Sequence, residues 1–493
     1  MKKSLGVLVV LGIVCLTAVN AYSEEWILYG GRALGMGGAG VAVGDTTTSF
    51  YWNPANAARN KDISLKIAGG LSLSAEGNVL QEADAIADTI DSLGNTWVSL
   101  QNKMDTGMAL ASDTEIQQLL DLFGTKIIGL DKSGQGIVGN LSGGLSIAYN
   151  HFGISGAQYA YFGGDPNVDY SNLNLSFGTG NINNILPTVG DGSTPATQSG
   201  IDLAAALAPI IGATQANELA YQAEQAGVPL SDPKAQQVIT GIAEATSGNS
   251  LSATQNNSGL YLSGISILEG GITYGMPLVE EKLYLGITIK GMQGQTYYNF
   301  IKYDDIQSGT DITKDLQDEK NSKTTTAFGA DLGVLFMPLD NDSLRLGLTA
   351  RNINKPKFDF AGPGDYEVDM QIRAGAAYNV FDSLCVAADY DITENETMNL
   401  GGFSSQMFNA GLEYTFLGFL SARVGGFKNM ADAESGPAYT GGLGVHLIWL
   451  DIDLAGAVSS DEVEIETATT GTSGGTETIR EKYAFFFNVG LAF

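Results

Sequence analysis

The last eleven residues of the chain, YAFFFNVGLAF, alternate between two kinds of side chain. One set of positions is large and apolar: Tyr483, Phe485, Phe487, Val489, Leu491 and Phe493. The other set is mostly small or polar: Ala484, Phe486, Asn488, Gly490 and Ala492. Successive side chains of a strand point to opposite faces. This pattern fits a barrel wall whose apolar face meets lipid and whose small and polar face meets the lumen.

The same alternation recurs through the second half of the chain. Leu344, Leu346 and Leu348 alternate with Arg345, Gly347 and Thr349 in one example. Similar stretches lie at 370–377, 384–391, 408–415 and 450–455. A soluble sandwich would turn its polar face to water, whereas this face carries many glycines and charges of both signs. That mixture suits a crowded lumen and favours a membrane barrel.

Counting such segments predicts a transmembrane antiparallel β-barrel of about fourteen strands. The predicted strands are 63–73, 143–150, 153–162, 259–274, 282–300, 324–337, 344–353, 369–379, 384–391, 406–416, 419–427, 438–447, 450–458 and 483–493. The connections between them alternate between short and long without a break. Short links belong to the periplasmic side of such barrels and long links to the extracellular side.

The N-terminus has the form of a secretory signal peptide. Lys2 and Lys3 precede an apolar run from Leu5 to Leu16, and small residues allow cleavage after Ala21. We therefore expect residues 1–21 to be removed and the mature chain to reach a Gram-negative outer membrane. A terminal Phe493 is typical of outer-membrane barrels and suggests recognition by the barrel-assembly machinery.

The composition excludes several classes of function. The net charge of −29 disfavours a nucleic-acid-binding surface, and no apolar run of 18 residues follows the signal peptide. Acidic clusters near 304–319 and 461–466 are interpreted as solvated loops, with loosely bound divalent cations as the alternative. The sequence predicts no cofactor and no specific metal site.

A glycine-rich motif lies just after the signal peptide. Gly35, Gly37 and Gly40 match the dinucleotide fingerprint G-x-G-x-x-G, which also needs a preceding strand, a following helix and a later acidic residue. Here the motif leads instead into threonines and Asn53-Pro54, which would break a helix. The sequence therefore disfavours nucleotide binding.

Two of the long links contain helical patterns. Apolar residues recur at helical spacing over 76–124 and 201–245, and a capping box stands at Ser112 and Glu115. We expect extracellular helical insertions at about 75–141 and 164–257. Their apolar stripes either pack on one another and on the barrel rim, or form a groove for a greasy ligand.

The stretch ALGMGGAGVAVGDTTTSFYWNPAN resembles the N-terminal segment of FadL-like outer-membrane proteins. GRALGMGGAGVAVGD, the helical insertions and RNINKPKFDF resemble in particular the TraF-like plasmid-transfer branch. The resemblance implies that residues 22–60 fold into the lumen of a barrel formed by 61–493, as a hatch. The residues assigned to this hatch motif are Gly35, Gly37, Gly38, Gly40, Asp45, Asn53, Pro54 and Ala55.

The alternation also predicts a set of inward charges, which either anchor the hatch or pair with one another to fill the lumen. These charges are Lys66, Lys290, Asp331, Arg345, Arg373, Asp389, Glu413, Arg423, Asp451 and Asp453.

Two functions remain open, and a third is disfavoured. The resemblance implies passive, hatch-gated uptake or export of hydrophobic small molecules such as fatty acids or hydrocarbons, with membrane lipid surrounding the barrel. The alternative is a scaffold that does not transport and that serves conjugation or protein secretion. An enzyme is not expected, because the two histidines, His151 and His446, lack a serine and an acid at recognisable spacing.

Overall fold

The computed structural model describes residues 23–43, 46–82, 85–86, 113–132, 135–170, 193–246, 257–279, 282–302, 319–396, 403–433, 435–467 and 475–492. Their main feature is a closed barrel of fourteen strands. In chain order, β1 to β14 are Ser64–Glu76, Gly136–Tyr149, Phe152–Asn167, Gly259–Val279, Leu283–Lys302, Ser322–Phe336, Leu344–Arg351, Gln371–Phe381, Leu384–Asp391, Met407–Phe416, Leu420–Asn429, Ala438–His446, Leu450–Ser459 and Lys482–Ala492.

Each strand pairs antiparallel with its neighbours in sequence, and β14 closes the ring by pairing with β1 from Ala492–Ser64 to Lys482–Ser74. The predicted fold class is therefore confirmed. The observed strand ends differ most from the predicted ones in β2 and β3, which were predicted as 143–150 and 153–162. Their pairing extends from the turn at 150–151 to Ile137 and Gly164. Glycines at 139, 163 and 164 obscure the alternation there, so the sequence pattern stops before the strand does.

The two faces of the barrel differ as the alternation requires. Large apolar side chains are exposed on the outer face, among them Leu71, Ile154, Ile272, Phe328, Val424 and Phe485. Alternate positions along the barrel strands are buried and face the interior, among them Ser142, Thr288, Asp331, Thr349 and Asn488. A wall with this arrangement suits an apolar medium outside and a polar, filled lumen inside.

The connections alternate in length around the barrel. The links at 150–151, 280–282, 382–383, 417–419 and 447–449 are short, and the intervening ones, such as 77–135 and 168–258, are long. We call the two ends of the barrel the short-turn end and the long-loop end. One long link carries a small hairpin, Glu462–Thr467 paired with Gly475–Arg480, and another carries Lys357–Asp359 paired with Asp365–Glu367.

The described parts of the two largest links form a helical unit with its own core. Its α-helices, α3 to α7, are Asp113–Asp121, Ile127–Leu130, Gln198–Ile211, Ala213–Gln225 and Pro233–Thr246, with a π-helix at Leu122–Lys126. Leu120, Leu207, Leu219 and Val238 are buried together in this core. Residues 83–84 and 87–112 of the predicted helical stretch 76–124, including Ser112 of the capping box, lie outside the described residues. No helix in the described ranges is long and apolar enough to cross a membrane.

The first described residues, from Ser23 to Asn60, add no strand to the barrel wall. Ser23–Glu24 pairs in parallel with Asn395–Glu396. After it come α1 (Gly31–Gly35), α2 (Ser49–Trp52) and a 3₁₀-helix (Pro54–Arg59), and the chain then enters β1. We call residues 25–60 the N-terminal segment.

The two faces of β7 give a direct test of the membrane assignment. Leu346 is 40% exposed on the outer face, whereas Arg345 is buried inside, where it donates to Asn379. Leu346→Arg should make folding into a bilayer less favourable by about 2–4 kcal/mol if this position lies near the midplane. Folding into vesicles, read as heat-modifiable gel mobility, measures the effect. If Arg345→Leu impaired insertion as strongly as Leu346→Arg, the face assignment would be wrong.

Candidate functional site: a filled barrel lumen

The N-terminal segment lies inside the barrel. Almost all of its described residues are buried, including Leu34, Met36, Val41, Asn53 and Ala55, each with no measurable exposure. The first half contacts β11 to β14 through α1, and the second half contacts β4 to β6 through the 3₁₀-helix. The segment therefore bridges opposite parts of the wall.

The glycines of the motif allow the backbone of the segment to lie close to the barrel wall. A Cβ at Gly37 would lie 2.3 Å from the carbonyl oxygen of Ala410, and the φ of Gly37 is +71°. Gly38 also has a positive φ, of +88°, so the chain turns sharply after α1. Gly35 lies against Arg423 and Gly442, and a side chain at Gly40 would collide with Trp52. These glycines thus allow a tight turn within a confined space.

Two backbone donors of the segment share one acceptor on β9. The N–H groups of Gly40 and Val41 donate to Oδ2 of Asp389 over 2.7 and 2.9 Å. Gly31 likewise donates to Asn488, and Gly37 donates to Thr440. The N–H of Gly37 also donates to the carbonyl oxygen of Leu34 in α1. For Gly31, Gly40 and Val41, wall side chains therefore supply the acceptors of buried backbone donors.

Asn53, Pro54 and Ala55 form the start of the 3₁₀-helix. Oδ1 of Asn53 accepts from the N–H of Ala55 over 3.0 Å, which is an N-cap, and Pro54 takes the first helical position. Nδ2 of Asn53 donates to the carbonyl oxygen of Val334 on β6 over 3.0 Å. Ala55 packs with Leu335 and Met337. The N-P-A motif thus caps a helix and fixes it to the wall.

The largest polar network joins α1 to three strands near the short-turn end. Arg32 of α1 pairs with Glu413 on β10 at 2.7 Å. Arg423 on β11 pairs with the same Glu413 at 2.5 Å and with Asp453 on β13 at 2.8 Å. His446 extends the network because its ring lies 3.1 Å from Arg423. Paired charges of this kind can remain ionised although they are buried.

Asp451, the one predicted inward charge here that is not buried, lies at the edge of this network. Its side chain is 35% exposed and lies 3.2 Å from Nδ1 of His446. The other histidine, His151, lies in the short turn between β2 and β3 with a φ of +73°.

Three more ion pairs, in two groups, lie on the inner face of the wall. Lys290 on β5 lies 3.3 Å from Glu269 and 3.0 Å from Asp331. Arg373 on β8 pairs with Asp391, with Nη2 donating to Oδ2 over 3.0 Å. Lys66 and Arg345 are also buried, and each is 8% exposed.

An aromatic cluster joins the two halves of the segment. Tyr29 stacks on Tyr51 with ring centroids 4.9 Å apart, and the indole N–H of Trp52 donates to the carbonyl oxygen of Tyr29. The guanidinium of Arg351 lies 4.1 Å from the ring centroid of Tyr51. Arg373 lies 4.5 Å from that of Trp26. Cation–π contacts therefore fix the cluster to β7 and β8.

Several residues of this site were not among the predicted ones. Glu269, Arg351 and Asp391 occupy inward positions of their strands, so the alternation alone could have identified them. Arg32 carries no comparable signal, because its partner lies 381 residues away. Asp45 was assigned to the hatch motif and Phe493 to recognition by the barrel-assembly machinery. Both lie outside the described residues.

Two small cavities lie beside the described part of the segment. One cavity of about 30 Å³ is lined by Trp26, Arg373 and Asn409 among others, and another of about 20 Å³ by Tyr29, Arg32 and Trp52 among others. Each could hold one or two water molecules. Within the described ranges, no three His, Cys, Asp or Glu side chains come together where they could hold a metal ion.

Close contact between β5 and the segment leads to a further prediction. A Cβ at Gly286 would lie 2.0 Å from the backbone of Pro54, so Gly286→Ala should destabilise the protein by about 1–3 kcal/mol through overpacking. Gly291 on the same strand points outward with open space around it, so Gly291→Ala is the control. Urea unfolding in detergent micelles measures both. Equal effects would contradict the packing of the 3₁₀-helix on β5.

Solved structures of similar architecture span nearly the whole chain. The toluene transporter TbuX of Ralstonia pickettii is 11% identical with a TM-score of 0.40, and the match covers 94% of this chain and 97% of that one. The toluene transporter TodX of P. putida is 10% identical with a TM-score of 0.43, over 94% and 98%. A Pseudomonas aeruginosa FadL homologue is 11% identical with a TM-score of 0.41, over 96% and 99%.

Sequence comparison gives the family more directly. No curated protein matches the chain. Residues 50–391, which are more than half of the chain, match the profile of a family described as the F plasmid transfer operon TraF protein. The match begins inside α2 and runs through the N-P-A motif to the end of β9. The chain belongs to this TraF family.

Proposed function

We propose that this chain is an outer-membrane barrel through which hydrophobic small molecules, such as fatty acids or hydrocarbons, pass by diffusion when the N-terminal segment moves. The observation that carries the proposal is that the ring of fourteen strands is closed without the segment. Hydrogen bonds between the wall strands would therefore survive if the segment shifted.

The attachments of the segment support a gating role. Many of its polar anchors are single wall side chains, such as Asp389, Glu413 and Thr440, rather than continuous strand pairing. Such contacts can be exchanged one at a time for contacts with water or with one another. Cavities of about 20–30 Å³ do not admit a fatty acid or toluene, so passage requires the segment to move.

Uptake measurements test this proposal. Cells with and without the protein would be given a panel of radiolabelled fatty acids, alkanes and aromatic hydrocarbons. We expect faster accumulation of at least one compound with the protein, and equal permeability to a hydrophilic sugar. Equal uptake of every compound would overturn the proposal.

A second function, a scaffold for conjugation or protein-secretion machinery, is favoured by one observation. The helical unit has its own core, built from Leu120, Leu207, Leu219 and Val238 among others. It could fold and present a docking surface whether or not the lumen opens. Deleting residues 193–246 should then abolish the assembly activity while uptake persists. The opposite pattern would favour passage.

A further inference from the structure

The outer wall of β2 to β6 carries a groove that the lumen site does not explain. Its volume is about 510 Å³. The outward side chains of Ile137, Phe162, Leu260, Leu262 and Tyr297 line it, and small residues such as Ala160, Gly164 and Gly264 form its floor. No charged side chain is among the described residues that line it.

The groove lies beyond the apolar belt of these strands. The outward positions of Leu283–Gly291 on β5 and of Phe328–Phe336 on β6 span nine residues each and carry apolar or glycine residues. That is the length of a transmembrane strand, about 9–11 residues. Hydrocarbon contact should therefore end near Gly291 and Phe328.

Two rows of outward side chains follow the belt across four strands, and each row carries a polar residue on three of the four. One row is Gln158, Leu268, Gln293 and Thr326, and the next is Ala160, Ser266, Gln295 and Thr324. Nε2 of Gln158 donates to Oγ of Ser266 over 2.9 Å and links the two rows. Phe162, Gly264 and Tyr297 come after the second row, toward the long-loop end. The first row thus lies between the belt and the groove, and the second row, through Ala160, Ser266 and Gln295, forms the edge of the groove nearest the belt.

We propose that this groove binds a neutral hydrophobic small molecule, of the hydrocarbon or fatty-alkyl class, on the outside of the barrel. Its volume falls within the range of small-molecule sites, about 300–1,000 Å³. The uncharged lining disfavours an ion or a charged head group, and the polar rows disfavour the acyl chains of the bulk membrane. The inference deepens the proposed function, since such a site would hold a ligand beside the barrel before passage.

One substitution can fill the groove without disturbing the strand. A Cβ at Gly164 would make ordinary contacts of 3.5–3.7 Å with Leu262 and Leu260, so Gly164→Leu should fold and occupy the groove. Gly156→Leu is the matched control. Gly156 lies on the same face of β3, within the belt, and has no atom within 4 Å of its Cβ position.

The experiment is photolabelling of the protein in phospholipid nanodiscs with a diazirine-bearing dodecane, followed by peptide mapping. Labelling of the belt at 270–276 serves as the internal reference. We expect residues 137, 160–164 and 260–264 to be labelled, with a groove-to-belt ratio that falls when unlabelled dodecane is added. That ratio should fall at least fivefold in Gly164→Leu and stay unchanged in Gly156→Leu, both checked for heat-modifiable mobility.

Three outcomes would overturn the inference. A diazirine phospholipid that labels groove and belt in the same ratio would make the occupant ordinary membrane lipid. No labelling of the groove would mean that the chain itself or a second copy covers it. An unchanged ratio in Gly164→Leu would place the ligand elsewhere. Labelling requires no transport, so the two proposals can fail separately. A labelled groove without uptake would contradict only the proposed passage of hydrophobic molecules. Uptake without a labelled groove would contradict only the proposed binding site in the groove.

Discussion

Replacing Arg423 with methionine is expected to lower the free energy of unfolding by about 3–5 kcal/mol, because it leaves buried carboxylates without their cation. The guanidinium of Arg423 has no measurable exposure, and it holds Glu413 and Asp453 together. Glu413 would keep Arg32, but Asp453 would lose its closest cation. Urea unfolding of the protein in detergent micelles measures the loss.

The control for this prediction is a lysine whose ion pair is exposed. Lys282 pairs with Asp340, and the two side chains are 41% and 92% exposed. Lys282→Met should therefore change the unfolding free energy little, since water already screens this pair. Adding Asp453→Asn to Arg423→Met should recover part of the loss. Equal effects of Arg423→Met and Lys282→Met would show that the buried network does not stabilise the barrel.

Replacing Asp389 with leucine is expected to free the middle of the N-terminal segment. The N–H groups of Gly40 and Val41 would both lose their acceptor while remaining buried. Each unsatisfied donor costs about 1–3 kcal/mol, so the total is about 2–6 kcal/mol. Amide hydrogen exchange at residues 40 and 41 should then accelerate by at least tenfold, ahead of exchange in the wall strands.

Asp389→Asn separates the loss of the acceptor from the loss of the charge. Both donors use a single oxygen of Asp389, and an asparagine still offers one carbonyl oxygen there. Exchange at residues 40 and 41 should therefore stay close to that of the parent protein. If leucine and asparagine accelerated exchange equally, charge rather than hydrogen bonding would hold the segment.

The barrel could be predicted because its signal is local. On β14, Phe485, Phe487 and Val489 follow the period of two that a strand imposes, and the apolar face must meet the membrane. The ends of β2 and β3 were harder to predict, because a glycine has no side chain that would indicate which face of the strand it lies on. The long links begin at residues 77 and 168, close to the starts of about 75 and 164 expected for the insertions.

Pairing inside the lumen could not be read from the sequence. Alternation gives Arg373 and Arg423 an inward direction, but it does not say that Asp391 serves one and that Glu413 and Asp453 serve the other. Those partners follow from strand register and from the closure of the ring. The salt bridge between Arg32 and Glu413 is least predictable, since it depends on how residues 25–60 thread through the finished barrel.

The central claim is that the N-terminal segment blocks the lumen and must move for a hydrophobic molecule to pass. Thr47 in the segment donates to Ser64, the first residue of β1, over 2.8 Å, so Thr47→Cys with Ser64→Cys places two sulfur atoms within reach. The disulfide would hold both halves of the segment, because the stacking of Tyr29 on Tyr51 joins them.

The most direct test is uptake of a labelled hydrocarbon by this double variant with and without a reductant, and each single cysteine variant serves as a control. The account predicts that uptake by the oxidised double variant falls to the level of cells without the protein and returns on reduction. Uptake at the parent rate with the disulfide formed would contradict the claim that the segment moves.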